Sequence, residues 1–239
     1  MPNYILSYKS FGENALLIEW PKEISDAVLK DIVGFKNRIH KNIKLQDAII
    51  GYNSILLVYE FVIEKSEHKI EVLKKLYLQK GKNENVMVHH WVIPVCYDLE
   101  FGMDLEQLSK EKKSSIDQII QLHSQTTYTV FFVGFLPGFL YLGGLNSKLY
   151  SPRKATPRLR VPKGAVAIGG EQTGVYPNQS SGGWNIIGNS PISFFDVEKE
   201  MPCFAKTGDK ITFKSISINE HKEIAKAVNN NEYKMQFLL

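Results

Sequence analysis

Short β-rich runs alternate with segments of helical period along the N-terminal third of the chain. The runs at 4–8 and 15–20 predict two strands, and those at 47–52 and 54–61 predict a β-hairpin. Between these pairs a helix with one buried face is expected after Pro21, because apolar residues recur there at intervals of three and four: Ala27, Val28, Ile32, Phe35 and Ile39. This alternation is typical of a small α+β unit.

A second amphipathic helix is predicted at 70–77, with Ser66 placed to accept a backbone hydrogen bond as its N-cap. The segment 79–85 that follows contains no apolar residue, so it cannot add to a hydrophobic core and is expected at the surface. We therefore predict an α+β N-terminal domain of residues 1–82 and a C-terminal domain of residues 83–239.

The C-terminal domain is expected to begin with a strand that ends at Tyr97, followed by two short helices. Asp104 opens the first helix, and Ser115 and Gln118 have capping-box spacing for the second. A last short helix is predicted from Asn219. Short apolar runs broken by glycine and proline predict the strands of a β-barrel or sandwich at 129–133, 166–168, 185–187, 192–195 and 210–213.

The composition is that of an ordinary globular protein, with 44% hydrophobic and 23% charged residues among 239. The formal charge of +4 is too small to indicate nucleic-acid binding, and no apolar stretch of about 18 residues predicts a membrane span. The first residues lack the pattern of a secretory signal, and Cys96 and Cys203 form neither a C-x-x-C pair nor a disulfide framework. We therefore expect a cytoplasmic protein without a thiolate zinc cluster.

Glycine, proline, aromatic and basic residues are concentrated between Gly134 and Pro191. Glycine permits close backbone approach and proline fixes φ, so such loops are suited to holding a site in a rigid shape. The motifs in this segment are G-F-x-P-G-F at 134–139, P-R-x-x-x-P-R-x-x-V-P-x-G at 152–164, I-G-G-x-Q-T-G-x-Y-P at 168–177 and G-G-W-x-I-I-G at 182–188. In order and spacing they resemble the PxpB/KipI family, also labelled allophanate hydrolase subunit 1.

The resemblance implies an α+β fold, with a small α/β-sandwich N-terminal domain followed by a cyclophilin-like β-barrel. It also implies the function of the B-type subunit of an ATP-dependent 5-oxoprolinase. That enzyme hydrolyses 5-oxo-L-proline to L-glutamate and is formed with a KipA/PxpC-type subunit and a PxpA-type subunit. The same family leaves two alternatives open: a KipI-like inhibitor that binds a histidine kinase, and the carboxyltransferase half of a biotin-dependent urea carboxylase-like system.

Two departures from the family pattern matter here. Family members have S-P-G-G-W and I-G-R-T-P, whereas this chain has Ser181 in place of the proline and Asn189 in place of the arginine. Asparagine lacks the five-donor guanidinium that binds anions in pairs of hydrogen bonds. Any role of that arginine is therefore not carried over to this chain.

Five basic residues and three prolines fall within residues 152–164, a segment that we call the basic loop. Charge runs usually face water, so one interpretation is a solvated loop. The other is an anion site, because guanidinium groups match the oxygens of a carboxylate, such as that of 5-oxoproline, or of a phosphoryl group. Under the second interpretation Arg153, Arg158 and Arg160 bind substrate, and alanine at Arg158 or Arg160 lowers activity while leaving stability nearly unchanged.

Four further candidate substrate-binding residues lie among glycines: Gln172, Thr173, Tyr176 and Trp184. Their side chains are expected to line a cleft with exposed backbone as its floor. Packing in a core or an interface is the alternative for the two aromatic residues.

The sequence contains few other candidate groups. His89 and His90 occupy opposite faces of a strand and cannot jointly bind one ion, whereas His123 is expected to be a hydrogen-bonded structural residue. The P-loop, G-x-G-x-x-G and G-x-S-x-G motifs do not occur in the sequence. ATP used by the complex is therefore expected to bind mainly to another subunit. The pattern identifies neither a metal site nor a general base.

Overall fold

The residues described by the computed structural model are 4–23, 25–79 and 88–238. The chain divides into two compact units, Met1–Met87 and Val88–Leu239. The boundary predicted after residue 82 lies outside the described residues and stays a prediction.

The N-terminal unit contains a four-stranded antiparallel sheet and two helices. Its strands are β1 (Ser7–Phe11), β2 (Ala15–Glu19), β3 (Asp47–Ile50) and β4 (Ser54–Val58). Its helices are α1 (Asp26–Asn42) and α2 (Ser66–Leu78). The spatial order β1-β2-β4-β3 places β2 and β4 at the centre, where their alternate side chains are buried. This arrangement agrees with the predicted α+β class.

Helix α1 buries the face that its sequence period predicts. The Ser25 hydroxyl accepts a hydrogen bond from the Val28 N–H and so caps the helix. Ile32, Phe35 and Ile39 follow on the same face and are fully buried. The period of three and four is thus sufficient to place the helix and its core side.

The capping prediction for α2 is wrong. Lys65 is the N-cap residue and makes no side-chain cap bond, whereas Ser66 is the first residue of the helix. A side-chain hydroxyl can cap a helix when it belongs to the extended residue just before the first turn. In α2 that residue is Lys65, with φ of −134°, so the Ser66 hydroxyl lies one position too late.

The C-terminal unit is dominated by a closed β-barrel. Its strands in chain order are β5 (His90–Cys96), β6 (Thr127–Val133), β7 (Leu140–Gly143), β8 (Arg158–Val161), β9 (Ala165–Gly169), β10 (Gln172–Val175), β11 (Ser180–Gly182), β12 (Asn185–Asn189), β13 (Lys210–Ile216) and β14 (Gln236–Leu238). Seven of them form the barrel in the order β12-β9-β10-β7-β6-β13-β5. Closure comes from β5, which pairs in parallel with β13 and meets β12 at Cys96 and Asn189. The predicted β-barrel is confirmed.

Alternate side chains of the barrel wall belong to two different cores. On β9, Val166 and Ile168 join the large cluster of the barrel interior, whereas Ala165 and Ala167 join a second cluster. We call this second group the outer cluster, and its buried members are Phe139, Val161, Ala165, Ala167, Tyr176, Trp184 and Ile186. The β8–β11 strand pair contributes Val161, so this pair forms a second layer beside the barrel wall.

The helices of this unit are α3 (Leu105–Lys112), α4 (Ile116–Ser124) and α5 (Ile218–Asn229). The predicted capping box of α4 is present, because Ser115 and Gln118 each bond the other's backbone N–H. The strand predicted at 192–195 is wrong, since that segment is irregular. Its Ile192 and Phe194 are nevertheless buried in the interior cluster. A buried loop and a buried strand give the same short apolar run.

Candidate functional site

Asp104 is the centre of the polar contacts that the basic loop makes. Asp104 immediately precedes α3 and is only 3% exposed. Its Oδ1 accepts a hydrogen bond from Arg158 Nη2 at 2.6 Å. The same oxygen forms an ion pair with Lys154 Nζ at 2.9 Å. Its Oδ2 accepts a hydrogen bond from the Ile186 N–H at 2.7 Å. One carboxylate therefore connects the start of α3, the basic loop and β12.

The charge of Asp104 is stabilised by these contacts. Burial by itself raises the pKa of Asp104, but the hydrogen bonds from Arg158, Lys154 and the Ile186 N–H outweigh burial and hold the pKa below its ordinary value. The side chain therefore stays ionised at neutral pH.

Arg158 is only partly free to bind a ligand. Two cations share one carboxylate at Asp104, so the group keeps a positive charge. Nη2 is occupied by Asp104, whereas Nη1 is buried and has no hydrogen-bond partner among the described residues. A buried donor without a partner is unfavourable, because burial removes the hydrogen bonds that water would make.

Arg153 lies against Trp184. The guanidinium carbon is 5.5 Å from the centroid of the indole, at cation–π distance. Trp184 is buried and packs edge-on against Phe139, at 5.6 Å between centroids. Gly169 is required beneath it, since a Cβ at that position would come within 2.5 Å of the indole. The exposed guanidinium thus rests on a fixed aromatic face.

Tyr176 lies in the same outer cluster. Its ring is edge-on to Phe139 at 5.0 Å, and a Cβ at Gly182 would approach its hydroxyl to 2.4 Å. Burial raises the pKa of Tyr176, and the charges of Arg153 and Arg158 act in the opposite direction. The structure therefore brings Arg153, Arg158, Tyr176 and Trp184 together.

Thr173 lies elsewhere, in the barrel interior. Its hydroxyl is fully buried, donates to the Ala167 carbonyl at 3.1 Å and lies 2.8 Å from His123 Nε2. Burial lowers the pKa of His123 to about 3, so its neutral ring donates from Nε2 and accepts the Tyr97 hydroxyl at Nδ1. His123 is a hydrogen-bonded structural residue, as the sequence predicts. Its partner Thr173 has no side-chain surface with which to line an open cleft.

The two remaining candidates differ in exposure. Arg160 is exposed and makes no ion pair with any described residue. Gln172 is half-buried at the start of β10, and its Oε1 is buried without a hydrogen-bond partner in the described part of the chain. Arg160 is available to a ligand from solvent, whereas the roles of all seven candidates in substrate binding stay predictions.

Asn189, at the position of the family arginine, connects three segments. Its Nδ2 donates to the Lys163 carbonyl at 2.8 Å, and its Oδ1 lies 2.8 Å from His221 Nε2 on α5. The His221 ring also packs against Phe101 at a tilt of 31°, with 4.4 Å between ring centroids. Asn189 is 8% exposed, so its amide has a structural role that an arginine would not reproduce in the same space.

A separate cavity of about 680 Å³ lies where the parallel strands β5 and β13 end. Its lining includes Cys96, Asp98, Ile116, Ile120 and Ile216. None of the predicted site residues lines it. The predicted site residues therefore lie apart from this cavity.

His90 on β5 and His89, the residue before this strand, have separate polar partners. His90 Nε2 bonds Thr212 Oγ1 at 2.7 Å, and His89 Nδ1 lies 3.7 Å from Asp209. Within residues 4–23, 25–79 and 88–238, no three His, Cys, Asp or Glu side chains are arranged to hold a metal ion. No helix in these ranges has both the length and the apolar character needed to cross a bilayer.

Comparison with known proteins identifies the family of this chain. The profile of the family described as carboxyltransferase domain, subdomain C and D, matches residues 6–205. The chain belongs to this family. Within it, the B-type subunit of 5-oxoprolinase from Haemophilus influenzae is 34% identical over 202 residues, which are 84% of this chain and 94% of that protein. The resemblance to the PxpB family is confirmed.

Two solved structures share the fold. The protein TTHA0988 is 30% identical with a TM-score of 0.72, over 85% of this chain and 40% of that chain. The present chain thus spans less than half of that longer protein. The urea carboxylase of Kluyveromyces lactis is 17% identical with a TM-score of 0.81, over 98% of this chain and 24% of that chain, a likeness of fold alone.

Proposed function

We propose that this chain is the B-type subunit of an ATP-dependent 5-oxoprolinase and that it acts only together with an A-type and a C-type subunit. Relatives named as B-type subunits of 5-oxoprolinase support the proposal. In one of them, the match to this chain covers 94% of the relative's length. The structural observation that carries it is the Asp104-anchored basic loop beside the outer cluster. That arrangement presents positive charge on a rigid support.

The chemistry of the substrate suits these groups. 5-Oxoproline carries a carboxylate, and guanidinium groups bind carboxylate or phosphoryl oxygens through paired hydrogen bonds. The exposed guanidinium of Arg160 supplies such donors. Preorganised donors of this kind also stabilise negative charge that develops during lactam opening.

ATP bound by the complex would supply the driving force, by transferring its γ-phosphoryl group to the oxygen of the unreactive lactam amide and releasing ADP. The donors of the basic loop fit one side of a phosphoryl group, whereas the sequence has no P-loop to enclose a nucleotide. We therefore assign the greater part of the nucleotide site to a partner protein of the complex.

Deletion of the gene tests this function in the cell. We expect the deletion strain to lose growth on 5-oxoproline as sole nitrogen source and to regain it with the wild-type gene. Growth on glutamate is the control. Unchanged growth on 5-oxoproline, together with binding of the purified chain to a histidine kinase, would replace this proposal with the kinase-inhibitor function.

A further inference from the structure

The backbone of Arg153 is hydrogen-bonded on both sides of the residue. The Pro152 carbonyl, in the peptide group before Arg153, accepts a hydrogen bond from Asn185 Nδ2 at 3.0 Å. The Lys154 N–H, in the peptide group after it, donates to the Gly183 carbonyl at 2.7 Å. Hydrogen bonds on both neighbouring peptide groups restrict the backbone dihedral angles of Arg153. They therefore set the direction in which its side chain leaves the basic loop.

The Arg153 side chain lies against Trp184. The guanidinium carbon is 5.5 Å from the indole centroid. The indole is itself fixed, because it is buried and meets Tyr141 edge-on at 5.8 Å between centroids. Residues 183–185 thus contact residues 152–154 at three consecutive points, two through the backbone of the basic loop and one through the guanidinium.

The guanidinium of Arg153 keeps its hydrogen-bond donors available. An aromatic ring attracts a guanidinium through its π-electrons and does not occupy the N–H groups. Arg153 is exposed and makes no ion pair with any residue in the described part of the chain. Arg158 differs, because its Nη2 is occupied by Asp104. Of these two arginines, Arg153 is the one that is both held in position and open to a carboxylate from solvent.

Asn185 is a buried amide on a buried strand. It is 5% exposed, and burial of an amide is unfavourable unless the amide is hydrogen-bonded. Its Nδ2 donates to the Ile168 carbonyl at 3.3 Å as well as to the Pro152 carbonyl. Asn185 on β12 and Ile168 on β9 are opposite each other in the barrel wall. One amide nitrogen therefore connects the barrel wall with the peptide group before Arg153.

We propose that Asn185 is a positioning residue for Arg153, whose guanidinium binds the carboxylate of 5-oxoproline. By bonding the Pro152 carbonyl to the barrel wall, Asn185 keeps the guanidinium over Trp184 before the substrate arrives. A donor that is already in place loses little conformational freedom on binding, so the substrate binds more tightly. This inference rests on the proposed function, which supplies the substrate.

The test is the steady-state rate of glutamate release by the complex of this chain with the A-type and C-type subunits, at saturating ATP. Lactam opening leaves the carboxylate of 5-oxoproline unchanged, so its contact is the same in the ground state and in the transition state. Loss of such a contact raises KM and leaves kcat nearly unchanged. We expect Arg153→Ala to raise the KM for 5-oxoproline at least about tenfold. Asn185→Ala should raise it at least about threefold.

Two comparisons separate positioning from a loss of stability, which lowers the rate but not KM. In the Arg153→Ala background, Asn185→Ala should not raise KM further, because its effect passes through Arg153. Asn189→Ala is the matched control, since Asn189 is buried on the same strand and donates to the Lys163 carbonyl near the other end of the basic loop. It should change KM by less than about twofold. Asn185→Ser is a second variant, whose shorter side chain withdraws the donor from the Pro152 carbonyl but keeps a polar group, and it should raise KM as Asn185→Ala does.

The outcomes distinguish the inference from the proposed function. An unchanged KM in both Asn185 variants of an active complex, or a further rise in the double variant, would overturn the positioning role and leave the proposed function standing. An unchanged KM in Arg153→Ala would overturn the carboxylate contact. A wild-type complex without turnover would overturn both the inference and the proposed function.

Discussion

At the scale of residues, the Asp104 carboxylate organises the candidate site. The sequence predicts Asp104 as the residue that opens a helix, and it is the N-cap of α3, yet its side chain makes no cap bond. It instead bonds Arg158 and Ile186, 54 and 82 positions further along the chain. Contacts at such separation leave no periodic signal in the sequence, so the residue types of the basic loop were predictable and their anchor was not.

Replacement of Asp104 by asparagine tests this anchor. Asp104→Asn keeps the side-chain size but removes the charge that pairs Arg158 and Lys154. We expect the free energy of unfolding to fall by about 1.5–3 kcal/mol in urea denaturation at pH 7. Glu106→Gln, the same change at an exposed position of α3, should alter it by less than about 0.5 kcal/mol. Equal effects of the two substitutions would contradict the anchoring role.

The pH dependence gives a second measure of the same group. A carboxylate whose folded pKa is lowered contributes stability above its unfolded pKa, and this contribution is lost as the pH falls through the folded pKa. The difference in free energy of unfolding between wild type and Asp104→Asn should therefore shrink as the pH falls below about 4. A constant difference across that range would exclude the ionised carboxylate as its source.

The ion pair of Arg158 with Asp104 is a contact that the sequence does not predict. The sequence alone predicts that alanine at this position leaves stability nearly unchanged, as for an exposed loop residue. Because Arg158 pairs with buried Asp104, its loss also removes a hydrogen bond from that carboxylate. Arg160, exposed and without an ion pair to any described residue, is the cleaner probe of ligand binding.

At the scale of elements, buried strands are easier to predict than glycine-rich ones. β9 and β12 are buried along their whole length, and each contains a short apolar run, Val166–Ile168 in β9 and Ile186–Ile187 in β12. β10 and β11 contain glycine and polar residues, and β8 is half charged, so their patterns resemble loops. Their strand structure depends on pairing with neighbours that the sequence pattern does not identify.

Asn189 provides a prediction at this scale, because it connects β12, the basic loop and α5. We expect Asn189→Arg, which restores the family residue, to lower the free energy of unfolding by about 1–3 kcal/mol. The substitution removes the acceptor of His221 and the donor to Lys163 at a buried position. Asn178→Arg, at an exposed position, is the control for urea denaturation. Unchanged stability of Asn189→Arg would show that the position accommodates the family arginine.

At the scale of the whole molecule, family membership and the seven-stranded barrel agree with the expectation drawn from four motifs. The motifs identify the family because glycine, proline and aromatic residues recur there in fixed order. They do not identify a general base.

Glutamate release from 5-oxoproline is the measurement that tests this account most directly. The assay uses ATP and purified A-type, B-type and C-type subunits, alone, in pairs and all together, with this chain as the B-type component. We expect release only when all three are present, with a rate that rises and saturates as this chain is added. Turnover by this chain alone, or a full rate from the other two components without it, would contradict the account.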